Sequence, residues 1–226
     1  MDFMGISPEM VKDLASRYGL TVTVHSYSWD INQLALIPAM KAAAVAVTER
    51  AISMAAYFQS PQITIHPGRE ILPIPGVDYD RLLAESAEEL GAFARKEGTV
   101  ASFEIMEKIP KERLTSPEAI ARMEAKVNGA VTWKYTEDIA HCDSREEIFH
   151  TAKVLEGRIG EFHLSNKKGT KRHVPDAAEG DFDLPSVVDA LSKYERPFIL
   201  EGFDPSPEGK VFYNTLAYLD KGAKTK

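Results

Sequence analysis

The sequence predicts an α/β protein of the parallel (β/α) barrel type, and three observations carry that expectation. Short, β-branched apolar runs alternate with helical patterns along the chain. The runs are almost continuously apolar, as strands are when both faces of a parallel sheet are covered. Six of them end on a residue able to bind a metal: LTVTVH at His25, QITIH at His66, VASFE at Glu104, VTWKYTED at Asp138, GEFH at His163 and FILE at Glu201. These ends lie 41, 38, 34, 25 and 38 residues apart, roughly one strand-plus-helix unit each. Parallel strands joined by right-handed crossovers point one way, so their C-terminal ends share a rim. An open doubly wound sheet would instead offer a Gly-rich phosphate turn. No GxGxxG and no Walker loop occurs.

Ser7-Pro8-Glu9 opens the first helix: serine caps it, proline suits the first turn and Glu9 favours the positive end. Val11, Leu14, Ala15 and Tyr18 keep helical spacing, and Gly19 stops it. LTVTVH follows as a strand, then a polar aromatic loop, SYSWDIN. Residues 34 to 58 read as an alanine-rich helix whose small side chains allow close approach to a sheet. After QITIH, a Pro- and Gly-punctuated loop from Pro67 to Gly76 is long enough to cover a pocket. Asp80 to Lys96 is a helix with leucine and alanine on one stripe and glutamate on the other. VASFE leads to a loop carrying Met106, Lys108 and Pro110, and Ser116-Pro117-Glu118 starts another helix. VTWKYTED is a strand, Arg145 to Leu155 a helix and RIGEFHL a strand. Ser165 to Asp181 has no periodicity and is the expected lid. Leu184 to Tyr194 is a helix, RPFILE the last strand and Gly209 to Leu219 a closing helix. With no internal repeat and no low-complexity linker, the chain reads as one domain over 1–226.

At 226 residues, with 44% hydrophobic and 27% charged content, the composition is that of a globular protein with a sizeable core. No apolar run approaches the ~18 residues of a bilayer span. The start, MDFMGISPEM, has neither a basic nor an apolar leader region, and the lone Cys142 suits a reducing compartment. A cytoplasmic location is expected. A net charge of −7 argues against broad, nonspecific binding to nucleic acid or anionic membranes. Lys167, Lys168, Lys171 and Arg172 form a local exception directly after the His163 strand. They read either as a solvated charged loop or as a grip for a phosphate beside the site.

Three imidazoles and three carboxylates on one rim repel and desolvate one another unless a cation sits among them. One or two divalent ions resolve this. Mixed nitrogen and oxygen donors suit Zn or Mn, with Fe and Co also compatible; an all-oxygen set would have indicated Mg or Ca. Glu104 and Glu201 end strongly apolar strands, where an unpaired carboxylate is costly. Glu137 beside Asp138 leaves a one-residue ambiguity in the ligand. His141 reads as a ligand or as a substrate contact, and His173 falls in the aperiodic loop. His150, mid-helix, reads as structural or solvated, and Cys142 has no base arranged for a catalytic thiol. Trp29 and Trp133 can each wall a pocket, although core packing explains Trp133 equally.

Taken in order, the run from His25 to the DIN at Asp30 to Asn32, HPG at His66, FE at Glu104, DxxH from Asp138 to His141, FHLSN around His163 and LE at Glu201 resemble the xylose isomerase-like (β/α)8 superfamily. The resemblance runs from about Ser7 to Leu219. The superfamily contains endonuclease IV, sugar isomerases and ketose 3-epimerases. For the isomerases and epimerases it implies one metal on Glu104, Asp138, His163 and Glu201. For the endonuclease IV-like members it implies three zinc ions. The first would sit on His25, His66 and Glu104, and the second on Glu104, Asp138, His163 and Glu201. The third would use His141, His173 and an aspartate two residues before the latter; that position here is Lys171, whose ammonium has no lone pair to offer. His25 would end the third strand of such a barrel, so the resemblance implies a fold lacking the first two of the usual eight strands. A six-stranded arc has two unpaired edges, so either self-association, as a homo-oligomer covering them, or marginal stability is expected.

The activity so implied is a divalent-metal-dependent isomerase or epimerase acting on a sugar or sugar phosphate. The metal would polarise a carbonyl and stabilise an enediolate, with Glu104 and Glu201 as the acid/base pair. His141, His173, Lys168, Lys171, Arg172 and Trp29 are the expected substrate contacts. One alternative is an endonuclease IV-like phosphodiesterase (AP endonuclease family 2). It needs a metal cluster and basic loops, which this acidic chain offers only in KKGTKR. The other is a non-catalytic remnant barrel.

Overall fold

The computed structural model describes residues 6–202 and 208–223. Six strands make one sheet: β1 (Val24–His25), β2 (Ile63–Ile65), β3 (Ala101–Ile105), β4 (Lys134–Asp138), β5 (Ile159–Leu164) and β6 (Phe198–Leu200). They lie in chain order and each neighbouring pair is parallel. Helices α2 (Pro38–Tyr57), α3 (Tyr79–Glu97), α4 (Pro117–Glu124), α5 (Arg145–Val154) and α6 (Leu184–Leu191) fill the crossovers. Helix α1 (Pro8–Tyr18) precedes the sheet and α7 (Lys210–Ala223) follows it. Among the described residues β1 and β6 do not pair with each other, so the sheet is an open arc of a TIM-type barrel. The six-stranded α/β architecture is the one the sequence predicts.

Helix starts follow the capping signals. Ser7, Asp78, Ser116 and Ser144 each accept a hydrogen bond from a backbone N–H of the first turn. Gly19 ends α1 with φ 62°, a conformation that costs glycine little. Several expected boundaries move. β1 is two residues long rather than six, because an edge strand has only β2 to pair with. Helix α2 begins at Pro38 rather than 34, since proline forces Ile37 into extended backbone (ψ 116°). β4 starts at Lys134, leaving Trp133 as a core indole. α6 stops at Leu191 and a short 3-10 turn carries the chain to Tyr194.

Strand alternation sorts the side chains by face. Ile63, Ile65, Phe103, Ile105, Tyr135, Phe162 and Leu164 join the buried stripes of the helices, including Ile52, Leu83, Leu90, Ile120 and Val187, in one core. Glu104, Asp138 and His163 face the barrel interior. Glu137, on the other face, is buried near Cys142 Sγ, and burial pushes its carboxyl well above the usual range. Asp138 is therefore the rim residue of the pair. A bulge sets the register of β5: Tyr135 pairs with Ile159 but Thr136 pairs with Glu161, so Gly160 is passed over. The Gln62 amide occupies the space a Cβ at Gly160 would need.

Candidate metal centre

Glu104 occupies the middle of the rim, 1% exposed, with four imidazoles around its carboxylate. Its Oε2 lies 3.2 Å from His25 Nε2 and 3.0 Å from His66 Nε2. Its Oε1 lies 3.6 Å from His141 Nδ1 and 3.7 Å from His163 Nδ1. Each imidazole comes from the end of a strand or the turn after it, which is how the parallel arc gathers residues distant in sequence.

Three groups hold their ligand atoms within 4.8 Å of one another: Glu104, Asp138, His163 and Glu201; His25, Glu104 and His163; Asp138, His141 and His173. The four-residue group fits a divalent ion. Asp138 Oδ2, His163 Nδ1 and Glu201 Oε2 are buried with no hydrogen-bond partner among the described residues, a condition native interiors rarely tolerate. His163 Nδ1 and Glu201 Oε2 are 2.8 Å apart without hydrogen-bond geometry. Lone pairs converging on one region are what a cation satisfies.

The electrostatics agree. Burial raises Glu104, but the hydrogen bonds of His163, His25 and His66 outweigh it and hold the carboxyl well below the usual range. Burial pushes Asp138 up; the His141 charge opposes this, and Glu201 and Glu104 reinforce it. Burial lowers His163, yet Glu104, Glu161 and Glu201 together drive it far above the ordinary imidazole value. Burial raises Glu201, but His163 pulls it down to about 2. Without a cation, the cluster balances its charge by keeping protons on Asp138 and His163. A divalent ion can displace both.

The third group is assembled with equal care. Ile105 O accepts from His141 Nδ1 at 3.0 Å, and Ser165 Oγ pairs with His173 Nδ1 at 2.8 Å. Both Nε2 atoms are thus left for other partners; that of His141 lies 3.5 Å from Glu107 Oε2 and 3.9 Å from Asp138 Oδ2. His173 itself sits at φ 49°, a left-handed backbone uncommon outside glycine. Where the resemblance called for an aspartate at position 171, Asp138 supplies the carboxylate.

Not every candidate joins the centre. His66 touches Glu104 but lies outside the three groups, and its Nδ1 is buried without a partner. Trp29 is 87% exposed and forms no wall of the buried cluster. Lys168 and Lys171 are exposed and bridge to each other through their backbones; Lys168 Nζ reaches Glu179 at 3.8 Å. Arg172 turns to Asp143 at 3.4 Å, where Lys108 (3.4 Å) and buried Lys167, bonded to Asp143 O at 3.1 Å, also converge. The 165–182 loop is therefore fastened to Asp143 rather than free.

Lys167, read with the charge run of the loop, is buried. Two residues escaped sequence reasoning. Asn166 fills the loop interior, donating to Ala177 O and Phe182 O and accepting from Lys167 N and Phe182 N. Glu161, inward like His163, was signalled by the two-residue spacing in GEFH.

These strand-end ligand groups on a parallel arc define a (β/α)-barrel protein with a candidate metal centre at its C-terminal rim. Residues 2–222 match the xylose isomerase-like TIM barrel family, and the chain belongs to it. Among solved structures it is similar to a D-tagatose 3-epimerase-like protein (18% identity, TM-score 0.78, covering 96% of this chain and 84% of that one). It is similar also to 3-keto-D-glucoside 4-epimerase from E. coli (15%, TM-score 0.73, 95% and 84%). A third is a xylose isomerase domain protein from Planctomyces limnophilus (14%, TM-score 0.72, 96% and 82%). No curated protein matches. Among the described residues no helix is long and apolar enough to cross a membrane.

Proposed function

We propose that this protein is a divalent-metal-dependent isomerase or epimerase of a sugar or sugar phosphate. The observation that carries this reading is the four-residue group with its three orphaned, converging ligand atoms. The likeness in fold to sugar epimerases supports it. Glu104, Asp138, His163 and Glu201 would hold one ion, Zn or Mn by donor type, and that ion when bound supplies Lewis-acid polarisation of a substrate carbonyl. Glu104 and Glu201 come from the ends of β3 and β6 and approach the substrate from two sides. One accepts the proton from the C–H beside the carbonyl and releases it to solvent; the other takes a proton from water and passes it to the opposite face, inverting that carbon. His141, its Nδ1–H held by Ile105 O, offers Nε2 to a substrate hydroxyl.

A second reading, metal-assisted phosphodiester hydrolysis, is favoured by the Asp138, His141 and His173 group, which can hold a further ion. Elemental analysis of chelator-free protein separates the two, beside a Glu104→Gln, Glu201→Gln double variant and ketose incubations in D2O. One metal per chain, lost in the variant, with deuterium entering beside the carbonyl, is the expected result. Two or more ions with nicking of abasic-site plasmid would replace it by the second reading, and no metal would leave a remnant barrel.

A further inference from the structure

We infer that Glu161 is a positioning residue that decides which nitrogen of His163 faces the metal, an inference that rests on the metal-binding reading above. Beneath the rim, the inward faces of β2 to β5 carry a second row, Thr64, Ser102, Thr136 and Glu161, all buried. In (β/α) barrels such rows are dominated by bulky branched apolar side chains. Here the row is a hydrogen-bonded chain. Ser102 Oγ lies 2.8 Å from Thr136 Oγ1, Thr136 Oγ1 2.8 Å from Thr64 Oγ1, and Thr64 Oγ1 2.7 Å from Glu161 Oε1.

The chain has one direction. Each hydroxyl carries a single proton, and a carboxylate carries none. Thr64 donates to Glu161, so the Thr64–Thr136 bond must use the proton of Thr136. The Thr136–Ser102 bond must then use the proton of Ser102. All three dipoles point at Glu161 Oε1, and bonds aligned in this way polarise one another. The same oxygen lies 3.6 Å from His163 Nε2, a small side-chain adjustment short of a hydrogen bond. Nε2 is the ring nitrogen through which His163 meets Glu161.

The other ring nitrogen points the opposite way. His163 Nδ1 lies 2.8 Å from Glu201 Oε2 and 3.7 Å from Glu104 Oε1, with no hydrogen-bond partner. Nδ1 is therefore the nitrogen turned to the ligand group. A neutral imidazole ligand carries its proton on its second nitrogen, and the acceptor of that proton fixes tautomer and ring orientation. Glu161 is the acceptor so placed, two residues before His163 on β5 and so on the same face.

Zinc alone is the probe, measured by chelator competition on the full chain as wild type, Glu161→Leu and Glu161→Gln. Glu161→Leu is expected to weaken zinc binding about 10–100-fold. Glu161→Gln, whose amide oxygen accepts the same proton, is expected to recover most of the affinity; equal losses in both variants would overturn the inference. Nitrogen-15 NMR of the zinc-loaded wild type reads the tautomer without any variant. Zinc on Nδ1 and the proton on Nε2 is expected, and the reverse assignment overturns the inference. A folded Glu161→Leu that binds zinc as tightly as wild type overturns it while leaving the metal reading in place. A wild type that binds no zinc overturns both.

Discussion

His163 Nδ1 and Glu201 Oε2 face each other at 2.8 Å, and neither forms a hydrogen bond. Two buried polar atoms this close and unpartnered leave the rim short of a partner that a cation can supply. Zinc or manganese should therefore raise the melting temperature of the wild type. Free metal at 100 times its Kd adds about 2.7 kcal/mol. Glu201→Gln removes one charged donor and should shrink that rise. Scanning fluorimetry with graded metal checks it; an equal rise in both proteins counts against the four-residue centre.

Stability without metal should fall as pH rises through neutrality. Asp138 is raised from 3.8 to about 8, by burial first and then, against His141, by Glu201 and Glu104. A raised acid keeps in the folded protein a proton that the unfolded chain has released. Its contribution is full below the unfolded value and is lost between about pH 4 and pH 8. His163, raised by the surrounding carboxylates, contributes fully below its unfolded value and loses that contribution as pH climbs towards its folded one. Glu104 and Glu201 are lowered, so theirs is present above their unfolded value and disappears in acid. Metal affinity should strengthen over the same rise in pH, because ion and protons compete. Melting curves from pH 5 to 9, with and without zinc, test this; a metal-free optimum at pH 9 would contradict it.

Asn166→Ala should loosen the loop after β5. The side chain satisfies two carbonyls and two N–H groups at 2.7–3.1 Å. Each buried group left unpaired costs about 1–3 kcal/mol. Urea unfolding should show a loss of about 3 kcal/mol or more, and amides 167–182 should exchange faster with solvent. Unchanged exchange there would mean that Asp143 alone holds the loop.

Tyr135→Phe should destabilise the base of the barrel without touching metal affinity. Trp133 Nε1 donates to the Tyr135 hydroxyl at 3.0 Å, and that hydroxyl donates to Glu124 at 2.6 Å, where Arg158 also pairs. Losing the hydroxyl strands a buried indole N–H, at about 1–3 kcal/mol. Chelator competition should give the wild-type zinc affinity; a tenfold loss would show that the base and the rim are coupled.

The open edges of β1 and β6 should promote self-association. Sedimentation across a concentration series is expected to show species heavier than one chain, and a monomer throughout would remove that expectation.

Most of the fold was legible because its signals are local. Runs such as QITIH and VASFE, and caps such as Ser116-Pro117, declare themselves within a few residues. The rim ligands were legible for the same reason: Glu104, Asp138 and His163 each end a run. What the sequence hid depends on pairing. The length of β1 could not be read from Leu20 to Thr23, since strand composition does not reveal a missing neighbour. Choosing Asp138 over Glu137 needed the phase of β4, and the bond from Thr64 to Glu161 needed the pairing of distant strands. Trp29, Lys168 and Lys171 have the chemistry of substrate contacts but lie exposed, while Lys167, next in sequence, is buried.

The rings of His25 and His163 stand 5.6 Å apart although their strands are separated by three others. In a closed barrel the hydrogen-bond ladder fixes such a distance. Among the described residues no ladder runs from β6 back to β1, so the approach of the two rings gauges how tightly the sheet is rolled. Flattening each strand pair slightly would add up across the arc and draw the mouth open. An ion gripping both sides would resist that uncurling, which makes occupancy and sheet curvature one mechanical coordinate. Packing changes among the outer helices, far from any ligand, would then tune how firmly the mouth closes.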